Sequence, residues 1–86
     1  MASVLMYTAN PCPYCLYAKR LLNERNIAFI EQDLTGDFEG RKNLINRTGK
    51  RTVPQIFFGD HHVGGFEELA ALDRSGQLMS VLEANS

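Results

Sequence analysis

The sequence predicts an α/β fold with one four-stranded mixed sheet and helices on both of its faces. Two observations lead to this prediction. In the first half of the chain, strand and helix patterns alternate as β-α-β, and such units have parallel strands joined by a right-handed crossover. In the second half, Gly59-Asp60 between two short segments is a hairpin signal. With 86 residues, the chain is expected to form one domain over residues 1–86.

The first half shows the β-α-β pattern residue by residue. Residues 3–8 form an apolar run that ends in turn formers, which predicts a buried strand. A helix is expected over residues 13–25, because Pro13 suits a first helical turn and apolar residues recur on one face. Alternation over residues 27–33 predicts the second strand.

The second half is predicted to contain a helix, a hairpin and two final helices. Asp37 is a suitable N-cap for the first of these helices, and Gly49 ends it. The Ser75-Gly76 pair separates the last two helices. The expected elements are a helix at residues 38–47, strands at 53–58 and 61–63, and helices at 66–74 and 77–84.

Composition and charge exclude several classes of function. Hydrophobic residues make up 44% and charged residues 22% of the chain, and the formal net charge is −1. Without a basic patch, neither nucleic-acid binding nor acidic-membrane binding is indicated. No apolar run approaches the ~18 residues of a membrane span, and the stretch after Met1 lacks the pattern of a secretory signal. A cytoplasmic protein is therefore expected. A monomeric state is a separate expectation.

Both cysteines of the chain lie in the segment NPCPYCLYAK, at positions 12 and 15. A bridge between Cys12 and Cys15 would close a very small loop and restrain the unfolded chain little, which disfavours a purely structural role. A zinc site would need two more ligands. The only histidines, His61 and His62, are neighbours on a strand and would point to opposite faces. We predict that both face solvent and that no metal is bound.

The position of the two cysteines in the predicted fold favours a redox role. The C-x-x-C pair falls where the first strand ends and the first helix begins. A helix N-terminus carries about +0.5 of a charge and unpaired N–H groups, which favour a thiolate. We predict that Cys12 is the nucleophile and that Cys15, one turn into the helix and facing the core, resolves the mixed disulfide. A C-x-x-C near a β-α-β pattern is typical of redox proteins.

The motif Cys12-Pro13-Tyr14-Cys15 resembles the active site of dithiol glutaredoxins, within the thioredoxin superfamily. Thr52-Val53-Pro54 and the stretch GGFEEL at 64–69 also match the family, so the resemblance covers nearly the whole chain. It implies a thioredoxin fold and a thiol–disulfide oxidoreductase that reduces protein disulfides and protein–glutathione mixed disulfides. It also implies glutathione as reducing co-substrate, disulfide-containing or glutathionylated proteins as partners, and no tightly bound cofactor.

The resemblance implies that Cys12 and Cys15 are catalytic and that eight other residues contact glutathione: Tyr14, Arg41, Thr52, Val53, Pro54, Gly65, Phe66 and Glu67. Val53-Pro54 resembles the cis-proline step of the family, whose backbone would pair with the cysteinyl residue of the substrate. A trans proline that opens an edge strand is the alternative.

The other implied contacts also have simpler explanations. The helix start after Gly65 would receive the γ-glutamyl carboxylate through free N–H groups, or it is only a turn with a capped helix. Arg41 and Arg51 correspond to positions near the glycine carboxylate, or they are only solvated charges. Tyr7, near the end of the first strand, is expected to contribute to packing and not to ligand binding.

The chain departs from the family pattern at Ala9. Many glutaredoxins have a lysine three residues before the first cysteine, and here that cation is absent. Glutathione binding is expected to be weaker or to depend more on Arg41.

Two other functions compatible with these motifs remain open. One is a thioredoxin-like electron donor served by a flavoprotein reductase. The other is a scaffold that holds an iron–sulfur cluster between two chains, with Cys12 and an external thiol as iron ligands.

Overall fold

The computed structural model describes residues 3–85. Residues 1, 2 and 86, which the single-domain prediction includes, lie outside the described residues. The elements follow the predicted order: β1 (Val4–Thr8), α1 (Pro13–Glu24), β2 (Ile30–Asp33), α2 (Phe38–Thr48), β3 (Gln55–Phe58), β4 (His61–Gly64), α3 (Phe66–Arg74) and α4 (Leu78–Ala84). Three of the eight helix ends differ by one residue from the predicted bounds, and the other five agree with them. Between residues 3 and 85, no helix is long and apolar enough to cross a bilayer.

The four strands form one mixed sheet in the order β2-β1-β3-β4. Strand β1 pairs with β2 in parallel and with β3 in antiparallel orientation. Strands β3 and β4 form the antiparallel hairpin that the Gly59-Asp60 signal predicts. The parallel pair is joined through α1, as expected for a β-α-β unit.

Helices cover both faces of the sheet, because the strands alternate their apolar side chains between the two faces. Helices α1, α3 and α4 pack on one face, where the main core consists of Val4, Met6, Ala18, Leu22, Ile27, Ile56, Phe58, Leu69 and Leu78. Helix α2 packs on the other face, where a smaller cluster consists of Leu34, Leu44 and Phe57. The predicted fold class, a four-stranded mixed sheet between helices in the thioredoxin arrangement, is confirmed.

The second strand begins later than the sequence predicts, at Ile30 instead of residue 27. The residues after α1 first form the turn that ends the helix. In this turn Asn26 has a φ of 58°, and the Ile27 N–H donates to the Leu22 carbonyl at 2.9 Å. The Ile27 side chain therefore packs in the core, although the residue lies in the connection between α1 and β2 and not in a strand. Strand β2 is an edge strand, and its four residues are all exposed.

The third strand also begins later than predicted, at Gln55 instead of Val53. The Val53–Pro54 peptide bond is cis, which confirms the expected cis-proline step. Pro54 has no N–H to donate to a ladder. A second cis bond, Asn10–Pro11, is present next to the cysteine motif and was not predicted.

The prediction that both histidines face solvent is wrong for His62. His61 is exposed, but His62 is half-buried and its ring stacks on Phe57 with 4.8 Å between the centroids. A register shift in the β3–β4 pairing explains this position, since Phe57 pairs with His62 while Ile56 pairs with Gly64. His62 consequently lies on the α2 face of the sheet, beside Phe57.

Candidate active site

Cys12 immediately precedes helix α1, and Cys15 lies in the first turn of that helix. The backbone of Cys12 is extended, with φ −156° and ψ 97°, and Cys12 is the N-cap of α1, with Pro13 as the first helical residue. The Cys12 sulfur accepts a hydrogen bond from the Cys15 N–H at 3.1 Å. The sulfur thus occupies the place of the usual Ser, Thr or Asp cap, and this N–H stabilises negative charge on it.

A segment distant in sequence also contacts the Cys12 sulfur. The half-buried Cys12 thiol donates to the carbonyl oxygen of Val53 at 3.4 Å. Val53 lies in the connection between α2 and β3, immediately before Pro54. The strand–helix junction and the cis-proline segment therefore meet at Cys12.

Cys15 is buried and only 2% exposed. Both cysteines are free thiols in this structure. Desolvation by burial, followed by the hydrogen bond between Cys15 and the neighbouring Cys12 side chain, raises the pKa of Cys15 from 9.0 to about 12. A hydrogen bond from the backbone N–H of Ala9 and the charge of Lys19 lower this pKa in part. The two sulfurs thus differ in access, which suits a nucleophile and a resolving thiol.

A charged cluster near Cys15 was not predicted. Lys19, one turn after Cys15 on α1, forms an ion pair with Glu31 of β2 at 2.7 Å. The same carboxylate oxygen accepts from the Thr8 hydroxyl at 2.6 Å. The Lys19 and Thr8 hydrogen bonds hold the pKa of Glu31 below its usual value. No local sequence signal links Lys19 to Glu31, because their contact depends on how α1 packs over β1 and β2.

A groove of about 310 Å³ lies beside the cis-proline segment. It is lined by seven of the eight residues that the resemblance assigns to glutathione contacts, together with Glu68: Tyr14, Thr52, Val53, Pro54, Gly65, Phe66, Glu67 and Glu68. The structure thus brings together side chains from α1, the α2–β3 connection and α3.

Arg41 is the exception among the eight. It is half-buried on α2 and does not line this groove. Its guanidinium donates to the carbonyl oxygen of Arg51 at 3.4 Å, one residue before Thr52. Ala9, where the family often has lysine, is buried and 9% exposed. A longer side chain at position 9 would therefore have to extend outward.

The start of α3 is built closely around two glycines and Glu68. The Glu68 carboxylate accepts from the Gly65 N–H at 2.7 Å, which is one half of a capping box. Gly64 has a φ of 120°, and a Cβ atom there would lie 2.6 Å from the Glu68 carboxylate. Glu68 was not predicted as part of the site, although its position three residues after Gly65 is a recognisable capping signal.

Exposed aromatic and apolar residues surround the cysteine motif. The ring of Tyr14 lies 6.1 Å from Phe66 and 5.9 Å from Tyr17 between centroids. A second groove, of about 560 Å³, has a different lining: Asn10, Pro11, Cys12, Pro13, Leu16 and Tyr17. Leu16 and Tyr17 were missed from the sequence, although their exposure next to the motif follows from helical spacing.

Metal ligands are not grouped in the described part of the chain. Among residues 3–85, no three His, Cys, Asp or Glu side chains cluster in a way that would hold an ion. The prediction that no metal is bound stays a prediction.

Known proteins resemble this chain along almost its whole length. The glutaredoxin family model matches residues 4–63. Glutaredoxin 3 of Escherichia coli K12 is 43% identical over 83 residues, which cover 96% of this chain and 100% of the relative. The solution structure of glutaredoxin from Brucella melitensis is 42% identical with a TM-score of 0.88, covering 100% of this chain and 94% of that one.

A buckwheat glutaredoxin, whose crystal structure is a complex with glutathione, has a TM-score of 0.87 at 26% identity. The match covers 98% of this chain and 79% of the buckwheat chain. The chain therefore belongs to the glutaredoxin family and is a thiol–disulfide oxidoreductase.

Proposed function

We propose that this protein is a single-domain, glutathione-dependent dithiol glutaredoxin that reduces protein disulfides and protein–glutathione mixed disulfides. The observation that carries the proposal is the meeting of the Cys12 sulfur with the Val53 carbonyl, 3.4 Å apart, next to a groove lined by the expected glutathione contacts. The complex of the structurally similar buckwheat glutaredoxin with glutathione supports the same ligand. A cytoplasmic location and a monomeric state stay predictions.

In the proposed binding mode, the cysteinyl residue of glutathione pairs with the backbone of Val53, in the way a peptide adds to a strand. The γ-glutamyl carboxylate is held by the first N–H groups of α3, at Phe66 and Glu67, which no helical carbonyl satisfies. Gly65 lets the ligand approach the backbone closely. Tyr14 and Thr52 form the walls of the groove, and Arg41 acts near the glycine carboxylate.

The reaction with a glutathionylated protein uses only Cys12. The Cys12 thiolate attacks the glutathione sulfur, the mixed disulfide breaks, and the protein leaves as a thiolate that takes up a proton. A second glutathione thiolate then attacks the glutathione sulfur on Cys12. Oxidised glutathione is released and the Cys12 thiolate is restored.

The reaction with a protein disulfide also needs Cys15. After Cys12 has formed a mixed disulfide with the protein, the Cys15 thiolate attacks the Cys12 sulfur. The protein leaves as a dithiol and a Cys12–Cys15 disulfide forms, which two glutathione molecules reduce while they become oxidised glutathione.

The interactions that raise the pKa of Cys15 explain why Cys15 attacks only after Cys12 has formed the mixed disulfide. The hydrogen bond and the charge of Cys12 both raise the pKa of Cys15, whereas Lys19 lowers it. Once Cys12 is part of a disulfide, its negative charge is gone and that contribution ends, while Lys19 remains. The pKa of Cys15 therefore falls at the step in which Cys15 must attack.

The proposal is tested by turnover of a glutathionylated peptide with glutathione as the only reductant. Rapid turnover that produces oxidised glutathione is expected. No turnover with glutathione, combined with reduction by a flavoprotein disulfide reductase, would overturn the proposal in favour of the thioredoxin-like donor. Visible absorption and bound iron in anaerobically purified protein, without exchange activity, would favour the cluster scaffold.

A further inference from the structure

His62 occupies a defined place beside the proposed glutathione groove, without lining it. The half-buried ring lies with Nε2 2.7 Å from the Oε1 atom of Gln55. Its face stacks on Phe57, with 28° between the ring planes, and the guanidinium of Arg47 lies 3.9 Å from the centroid of the same Phe57 ring. These contacts restrict how the imidazole can turn.

The partners of Gln55 determine the orientation of its amide. Gln55 is 2% exposed, and its Nε2 donates to the Thr52 carbonyl at 3.0 Å and to the Thr52 hydroxyl at 3.3 Å. A backbone carbonyl only accepts, so the amide NH₂ must face Thr52. The amide oxygen therefore faces His62, and the His62 Nε2 atom must carry a proton.

This arrangement connects His62 to the substrate groove in two hydrogen-bonded steps. Thr52 lines the groove and precedes Val53, whose carbonyl meets Cys12. If the His62 donor were lost, the Gln55 oxygen would be left without a partner on that side. Rotation of the amide would then turn its oxygen toward the Thr52 carbonyl, which is repulsive.

We propose that His62 is a positioning residue that fixes the Gln55 amide and, through it, orients Thr52 for glutathione-bearing substrates. This inference rests on the proposed function, since it concerns the same groove. His62 does not touch the reacting sulfurs. Its contribution is to hold one wall of the groove in the geometry in which the ligand binds.

The charges around His62 favour a neutral ring. Burial, followed by the positive charges of Arg47, His61 and Lys50, lowers the pKa of His62, and Glu68 opposes this change. The neutral ring in this arrangement is the Nε2–H tautomer. The imidazolium also donates from Nε2, so the positioning contact persists in both protonation states.

The kinetic test compares three variants on a glutathionylated peptide. His62→Leu removes the donor, and we expect its KM to rise roughly threefold to tenfold with little change in kcat, as for a lost buried hydrogen bond. His62→Gln retains an amide N–H donor and should recover most of the loss. His61→Leu is the matched control, because His61 is the exposed neighbour on the other face, and it should behave as the natural protein.

The structural test is independent of turnover. Nitrogen-15 NMR of the natural protein should show the Nε2–H tautomer of His62, and the Gln55 side-chain amide and Thr52 signals should shift in His62→Leu but not in His61→Leu. An Nδ1–H tautomer, an unchanged KM in His62→Leu, or equal losses in His62→Leu and His62→Gln would overturn the inference.

The two tests also separate this inference from the proposed function. If the natural protein does not turn over the glutathionylated peptide, the glutathione assignment fails. The tautomer and the Thr52 signals still decide, in that case, whether His62 positions this segment. The tautomer measurement requires no variant, so it remains decisive even if His62→Leu does not fold.

Discussion

The Cys12 thiol donates a hydrogen bond to the backbone carbonyl of Val53, with 3.4 Å between sulfur and oxygen, although 41 positions separate the two residues. The contact joins the start of α1 to the cis-proline segment before β3. Cys15 lies in the protein interior, with 2% of its surface exposed. A disulfide that reaches this site therefore meets Cys12 first, alongside the backbone that is expected to pair with it.

Replacing Cys12 or Cys15 by serine is expected to affect the two exchange reactions differently. Cys12→Ser should abolish all exchange, because it removes the accessible sulfur. Cys15→Ser should retain turnover of glutathionylated peptides, since free glutathione can attack the Cys12 adduct, and it should lose most reduction of protein disulfides. Steady-state assays on both substrates measure this. Equal losses in both variants on the glutathionylated peptide would contradict the division of roles.

The stability of the reduced protein is expected to fall at alkaline pH because of Cys15. Its pKa is raised from 9.0 to about 12 in the folded state, so the unfolded chain loses this proton at lower pH than the folded one. The contribution of Cys15 to stability is complete below about pH 9 and decreases as the pH rises toward about 12. It amounts to at most a few kcal/mol, since one pKa unit corresponds to about 1.4 kcal/mol.

Urea unfolding of the natural protein and of Cys15→Ala, at about pH 8 and about pH 10.5 under reducing conditions, isolates this contribution. The stability difference between the two proteins should shrink at the higher pH. Titrating groups that do not interact with Cys15 are the same in both proteins and cancel. A constant difference would mean that the folded protein does not suppress ionisation of Cys15.

Lys19 is expected to assist the dithiol reaction. Its charge lowers the pKa of Cys15, and its position is held by the 2.7 Å ion pair with Glu31. Lys19→Met should slow reduction of protein disulfides at neutral pH, by several-fold, while glutathionylated peptides react as before. Lys42→Met, an exposed lysine on α2, is the control. Equal slowing on both substrates would indicate a general structural effect of Lys19.

Ala9 tests the position where the chain departs from its family. If a cation there serves the glycine carboxylate, Ala9→Lys should raise kcat/KM for glutathionylated peptides about twofold to fivefold, as for an exposed ion pair worth about 0–1 kcal/mol. Added salt should reduce the gain. Because Ala9 is buried, Ala9→Met serves as control for the added length, and it should show no gain.

Combining Ala9→Lys with Arg41→Ala tests whether the two cations share one carboxylate. Arg41→Ala should harm the natural protein more than it harms the Ala9→Lys form, because the new lysine would partly replace Arg41. A double-mutant cycle on kcat/KM measures this coupling. Strict additivity would withdraw Arg41, which does not line the groove, from the proposed binding residues.

Local sequence patterns predicted most of the helices and strands, and they predicted where both cysteines lie relative to helix α1. Pro13 after Cys12 marks a helix start, so the cap position of Cys12 and the buried position of Cys15 followed from helical geometry. Strand starts were less accurate. Alternation placed Ile27 in a strand, whereas it fills the core from a connection, because burial alone does not distinguish these two situations.

The sequence by itself determined the order of the elements, the helix that presents Cys12 and shields Cys15, and, through three motifs, the family. Only the tertiary structure decided the contact of Cys12 with Val53, the Lys19–Glu31 pair and the inward position of His62. The physical reason is that these contacts join distant segments. They depend on strand pairing, on a register shift between Ile56 and Phe57 and on helix packing, none of which leaves a signal in the local spacing of residues.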